Sequence, residues 1–193
     1  MTAAGHTGRL PLITTDPARR RYRLALLLGF ITGCIGGIIK FGWEVPLPPR
    51  TPERNTTNPP QEMLQQLGFP YDFTHWTYEY SGNLCQGVSF LAHFGFSIAF
   101  AALYCLAAER WPQIKLWQGV AYGLFIWFLW HIVLMPAFGT IPAPWDQPLE
   151  EHFSEITGHM AWMWVIELCR RDLRNRISHE PDAEVPLAAA GAR

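Results

Sequence analysis

Charge is scarce in this chain, and neither sign prevails. Charged residues are 16% of the 193 positions and the formal net charge is -1, where soluble domains carry about a quarter charged residues. That excludes a solvated disordered chain and a nucleic-acid binder held by a basic surface. Cysteine is also sparse: four in a chain this long make no disulfide framework. No nucleophile–base pair, phosphate loop or nucleotide fingerprint is present, so nothing points to an enzyme. What is abundant is apolar: 49% of residues are hydrophobic. The mean hydropathy of +0.04 averages very apolar runs with polar, Pro-rich loops.

Four runs approach the roughly 20 apolar residues that cross a bilayer. They are residues 24–43 (LALLLGFITGCIGGIIKFGW), 88–108 (VSFLAHFGFSIAFAALYCLAA), 117–138 (WQGVAYGLFIWFLWHIVLMPAF) and 151–169 (EHFSEITGHMAWMWVIELC), the last being the least apolar. A soluble bundle needs a polar face on each helix, and the first three runs have almost none. The expected fold is all-α: one polytopic membrane domain, residues 1–193, with four transmembrane helices.

Twelve of the 15 Lys and Arg fall in residues 1–23, 109–116 and 170–193. Four spans place these segments on one side, and the positive-inside rule makes that side cytoplasmic, with both termini. Trp43, Trp76 and Trp145 then lie near the outer interface, and Trp111 and Trp117 near the inner one. Ile31-Thr32-Gly33-Cys34 fits a lipoprotein cleavage box, but the apolar run continues through IGGIIKFGW, which favours an uncut span.

Outside the spans, residues 1–18 are expected to be mobile and 178–193 to form a flexible cytoplasmic tail, with the fourth helix continuing past Cys169 through RRDLRNRI. The periplasmic loop, 44–85, holds seven of the 16 Pro between Pro46 and Pro70. Its opening is therefore extended, and QEMLQQLGF forms a helical turn or two before Gly68. Gly29, Gly33 and Gly37 recur every four residues on the first span, a spacing that lets another helix approach closely.

Ionisable groups inside a span are costly unless paired, so each needs an account. Gln86, Ser89, His93, Ser97 and Tyr104 share one stripe of the second span, within an arc of roughly 80° at about 100° per residue. On the fourth, His152, Glu155 and His159 share a face. Counting about 1.5 Å per residue from each midpoint places His93, His131, Glu155 and Lys40 roughly 6–10 Å toward the outer side, with His159 nearer the middle. Glu167, on the inner side, has Arg170 and Arg171 within one turn as partners.

Three readings of the outer layer stand side by side. The groups hydrogen-bond across helices and fix the bundle. They titrate, and sense or conduct protons, with His93, Glu155 and His159 foremost and His131 and Lys40 next. Or His and Glu bind a metal or haem. The spacing His152-x-x-Glu155-x-x-x-His159 matches no established metal signature, so no metal residues and no cofactor are assigned.

The stretches RRRYRLALLLGFITGCIGGIIKFGWEVPLPPR, AERWPQIKLWQG, SEITGH and WVIELCRRDLRNRISHEPD resemble the bacterial YagU family of inner-membrane proteins. The resemblance runs from about Arg19 to Leu187 and leaves out His152. It implies a multi-spanning inner-membrane protein with a suggested role in acid tolerance, and it supplies no catalytic residues. The expected function is therefore acid tolerance through a proton-responsive layer. The alternative from another class is a structural or assembly protein that binds a partner through its periplasmic loop. Expected contacts are membrane lipid and a protein partner or second copy of the chain, with no nucleic acid.

Overall fold

In the computed structural model, which describes residues 14–180 and 182, the apolar runs fold as long helices. The first and last stretches expected to be mobile, 1–13 and 183–193, lie outside the described residues. The elements are α1 (Tyr22–Glu44), α2 (Pro59–Gln66), α3 (Tyr71–Thr74), β1 (Thr77–Tyr80), β2 (Asn83–Gln86), α4 (Gly87–Arg110), α5 (Val120–Trp127), α6 (Met135–Ala137) and α7 (Leu149–Ser178), with short 3₁₀ turns between some of them. A π-helix, Phe128–Leu134, joins α5 to α6. Tyr22–Glu44, Gly87–Arg110 and Val120–Ala137 are long and apolar enough to cross a membrane. The 30-residue α7 is long enough, but it carries many charged residues, most of them turned into the bundle.

The bundle is apolar outside and holds buried charges beside its apolar core. Leu26, Leu27, Phe30, Ile38, Leu91, Leu103 and Phe125 are exposed, while Lys40, Glu155, Glu167 and Arg170 are buried. Water would reverse that distribution, and lipid accounts for it.

Helix α1 packs against α4 and α7, and α5 packs against α7. The glycines of α1 permit the first contact. A Cβ on Gly29 would collide with the backbone of Ala102, and one on Gly33 would lie 2.6 Å from Ile98 Cα. Gly37 faces the ring of Phe94. At Gly123 of α5, a Cβ would lie 2.5 Å from the carbonyl oxygen of His159. Small residues here bring backbones close enough for dispersion to act where no hydrophobic drive exists. Cys34 lies inside the unbroken α1.

The third apolar run differs from a plain helix over 117–138. Trp117, Gln118 and Gly119 all have positive φ, so the helix starts only at Val120. Further on, Pro136 has no N–H to donate and its ring crowds the carbonyl one turn back. The turns before it widen into the π-helix. Ile126 and His131, five apart, are therefore both buried. On a regular α-helix they would stand about 140° apart.

The loop after α1 is more ordered than its prolines suggest. Asn58 caps α2 through a capping box with Gln61, and Pro59 and Pro60 fill the positions that need no N–H donor. Gln61 is fully buried and donates to the Thr74 carbonyl. Asn58 Nδ2 also donates to Gln86 Oε1 and Ser89 Oγ, which ties the loop to the start of α4. A hairpin, Thr77–Tyr80 against Asn83–Gln86, was not expected in an all-α chain. Its turn carries Ser81 and Gly82 at positive φ, suited to a two-residue hairpin.

At the other end, residues 14–21, the link 111–119, residues 178–180 and Asp182 meet. Thr15 N donates to the Arg110 carbonyl, Arg21 N to Glu109 Oε2, and Arg174 Nε to Glu109 Oε1. Lys115 and Arg170 both bind Asp182. The start of the tail expected to be flexible is thus clamped, because its carboxylates meet these cations. Glu167 accepts from Arg170 and also from Tyr104 Oη, so the polar stripe of α4 ends on a buried ion pair.

Candidate functional site

Four of the five titratable candidates meet around one carboxylate. Glu155 Oε2 is 2.9 Å from Lys40 Nζ, 3.5 Å from His131 Nε2 and 3.7 Å from His159 Nδ1. Lys40 Nζ also donates to Glu44 Oε1 at 2.6 Å, one turn further along α1. Gly158 makes this reach workable: a Cβ there would lie 3.1 Å from the Lys40 side chain, which crosses α7 over the bare backbone. The fifth candidate, His93, packs on the ring of Phe41, 4.0 Å between centroids, and its Nε2 is buried without a hydrogen-bond partner.

Glu155 and His159 lie one turn apart on one face of α7, yet their side chains do not hydrogen-bond. His159 Nδ1 donates to the Glu155 backbone carbonyl at 2.8 Å, and the carboxylate turns to Lys40. A carbonyl only accepts, so Nδ1 carries the proton and, in the neutral ring, Nε2 is an acceptor. His152 is bonded elsewhere, its Nε2 donating to the Pro144 carbonyl. The π-helix supplies His131, the second imidazole beside Glu155.

A neighbouring group lies outside the sequence candidates. Glu151 is almost fully buried, with Arg50 2.6 Å away and Arg54 2.9 Å away, both from the loop after α1. The signal was present: Glu151 lies one turn before Glu155 on the same face, and two arginines interrupt a loop otherwise poor in cations.

His131, Glu155 and His159 could each offer one ligand atom, all within 4.8 Å. The chemistry of the set disfavours a metal, because the Lys40 ammonium already occupies a cation's place beside the one carboxylate. A haem held between these two histidines has no room, since their rings meet edge to face with centroids 5.0 Å apart.

A cavity of about 620 Å³ connects this layer to the loop. Lys40, His93, His131, Glu155 and His159 lie at its deep end, and Arg50, Asn58, Pro59 and Met63 at its loop end. Phe41, Phe90, Phe96, Trp130 and Trp162 contribute aromatic wall. Below His159, the buried side chains of Trp162, Met163, Ile166, Tyr104 and Ile126 separate the layer from Glu167 and Arg170.

Comparison with known proteins decides the family. Residues 34–168 match the family described as a protein of unknown function, DUF1440. The inner membrane protein YagU of Escherichia coli (strain K12) is 41% identical over 197 residues, covering 91% of this chain and 96% of the relative. The chain belongs to the YagU family. It is an inner-membrane protein, and its apolar exterior and the three membrane-length helices among the described residues suit a bilayer. No solved structure matches it.

Proposed function

We propose that this YagU-family chain is a non-enzymatic membrane protein that contributes to acid tolerance by sensing protons at the Lys40–Glu155–His131–His159 layer. The arrangement comprises four spans, α7 being the fourth, with both termini cytoplasmic. Two observations support the topology: the two terminal segments and the 111–119 link meet at one end, and that end holds most of the cations.

The observation that carries the function is the single carboxylate shared by one ammonium and two imidazoles. A proton arriving on either imidazole adds a second cation beside Glu155. It competes with Lys40 for the carboxylate, and in a low-dielectric site that competition is strong. Lys40 retains Glu44 as a second partner, so it has somewhere to go. Displacing it shifts α1 against α7, which provides two states for a proton to choose between. Sensing is favoured over conduction by the packing below His159, where the buried side chains of Trp162, Met163, Ile166 and Ile126 fill much of the space between the layer and Glu167.

The test is acid survival of cells that carry the full chain with Glu155→Gln, His159→Gln or both. Each single change impairs survival at wild-type protein level, and the double change is little worse, as for groups that act as a unit. Normal survival of both single variants removes the proton role and leaves the layer structural. Loss of survival on deleting the loop alone, with His93→Gln and Glu155→Gln tolerated, identifies instead a protein that works by displaying its loop to a partner.

A further inference from the structure

The cavity beside the layer is larger than proton sensing needs. At about 620 Å³ it lies within the range of roughly 300–1,000 Å³ usual for small-molecule sites. Its wall shows what it would hold. The charged side chains in that wall are Lys40, Glu44, Arg50 and Glu155. They cancel, and each is paired: Lys40 with both glutamates, Arg50 with Glu151. With the imidazoles unprotonated, no surplus charge is left to attract an ion.

At the deep end, two imidazole rings have hydrogen-bonding capacity to spare. His93 Nε2 is buried and has no partner, which is costly for a polar atom unless something else meets it. His159 gives its Nδ1 proton to a backbone carbonyl and so keeps Nε2 as an acceptor. A hydroxyl on the ligand satisfies such an acceptor. Around these atoms the wall is aromatic. Phe41 stacks on Phe90 with centroids 5.2 Å apart and 11° between planes, and Trp130 packs edge-on to Phe96. Toward the loop, Met63, Leu64 and Leu67 continue the wall as aliphatic surface.

We infer that the cavity is a binding site for a neutral amphiphile with a hydroxylated ring as its head, a quinol-type membrane lipid. The head lies between the aromatic walls within reach of His93 and His159, and the tail follows the aliphatic part of the wall. The inference does not depend on the layer acting as a proton sensor. It needs only neutral polar atoms at the deep end of an aromatic cavity, and it concerns binding without electron transfer.

The experiment uses the purified full chain in detergent and follows quenching of tryptophan fluorescence. The probes are decylubiquinol, decanol and decanoate. Decylubiquinol quenches saturably and binds at least about tenfold more tightly than the other two, a difference of about 1.4 kcal/mol. Ala92→Phe, which puts a ring into the cavity from its wall, weakens binding at least about tenfold. Trp130→Phe, a milder change that tests location if the first variant misfolds, lowers the amplitude of quenching without abolishing binding. Equal affinity for decanol overturns the ring-headed assignment, and tighter binding of decanoate overturns neutrality. Unchanged binding in a folded Ala92→Phe variant, or unchanged quenching amplitude in Trp130→Phe, overturns the location.

Discussion

Lys40 Nζ stands 2.9 Å from Glu155 Oε2, and each side chain is 7% exposed. One comes from α1 and the other from α7, 115 residues apart. A buried ion pair contributes little net stability against an apolar pair of the same shape, but breaking it leaves a charge without compensation. This contact therefore makes the packing of α1 on α7 depend on the charge state of the layer.

Lys40→Met leaves Glu155 with no strong cation and destabilises the protein by about 3–5 kcal/mol. Adding Glu155→Gln removes the stranded charge and restores a large part of that loss. Thermal unfolding of the full chain in detergent checks both. An additive double variant means that the two groups are not coupled.

Gly33→Leu and Gly29→Leu force α1 away from α4. Overpacking of this kind costs about 1–3 kcal/mol, and more where the obstacle is backbone, as at Ala102 and Ile98. Gly42→Ala, with open space around its Cβ position, leaves the unfolding temperature unchanged. Equal effects at all three positions would show that helix propensity, and not close approach, governs the response.

The clamp at the terminal end has its own pH dependence. Burial raises the Asp182 carboxyl, but Arg170 and Lys115 outweigh it and hold its pKa below the usual aspartate value. A carboxylate depressed in the folded state stabilises above the unfolded pKa of about 3.9 and loses that contribution as pH falls through the folded value. Limited proteolysis of the segment after Ser178 therefore stays slow down to about pH 4. Asp182→Asn accelerates it at neutral pH. Release near pH 6 would contradict the pairing.

Reporter fusions test the topology. Those after residue 115 and at the C-terminus read cytoplasmic, and one near Asn58 reads periplasmic. A C-terminus on the outer side overturns the orientation.

The helices were legible from the length and apolarity of three runs, and from a fourth, less apolar run that continues past Cys169 through RRDLRNRI. The Gly29, Gly33 and Gly37 spacing pointed to a close contact, though not to Ala102, Ile98 and Phe94 as its partners. The layer was legible as a set of residues at similar depth. Its wiring was not. The shift that turns His131 inward comes from Pro136 acting on the preceding turns, and helical periodicity assumes those turns are regular. The path of Lys40 to Glu155 depends on the missing side chain at Gly158, which no spacing rule marks. The hairpin Thr77–Gln86 lay hidden because its strands are four residues long and flanked by helix.

The layer also makes a prediction about metals. Protein purified without a histidine tag carries no stoichiometric zinc, iron or copper, because Lys40 already neutralises Glu155. Lys40→Gln frees the carboxylate beside His131 and His159, and zinc binding appears or strengthens in that variant. Stoichiometric metal in the wild-type chain would replace the proton reading with a metal site.

The central claim is that acid acts on His131 or His159 and loosens the hold of Lys40 on Glu155. Nuclear magnetic resonance of the full chain with labelled imidazoles, titrated from about pH 7 to pH 3, tests it most directly. His131→Gln and His159→Gln assign the two signals. The account predicts that at least one of these imidazoles takes up a proton in that range, and that the Lys40 side-chain signal shifts with the same midpoint. Imidazoles that stay unprotonated throughout, or a Lys40 signal indifferent to their titration, would contradict it.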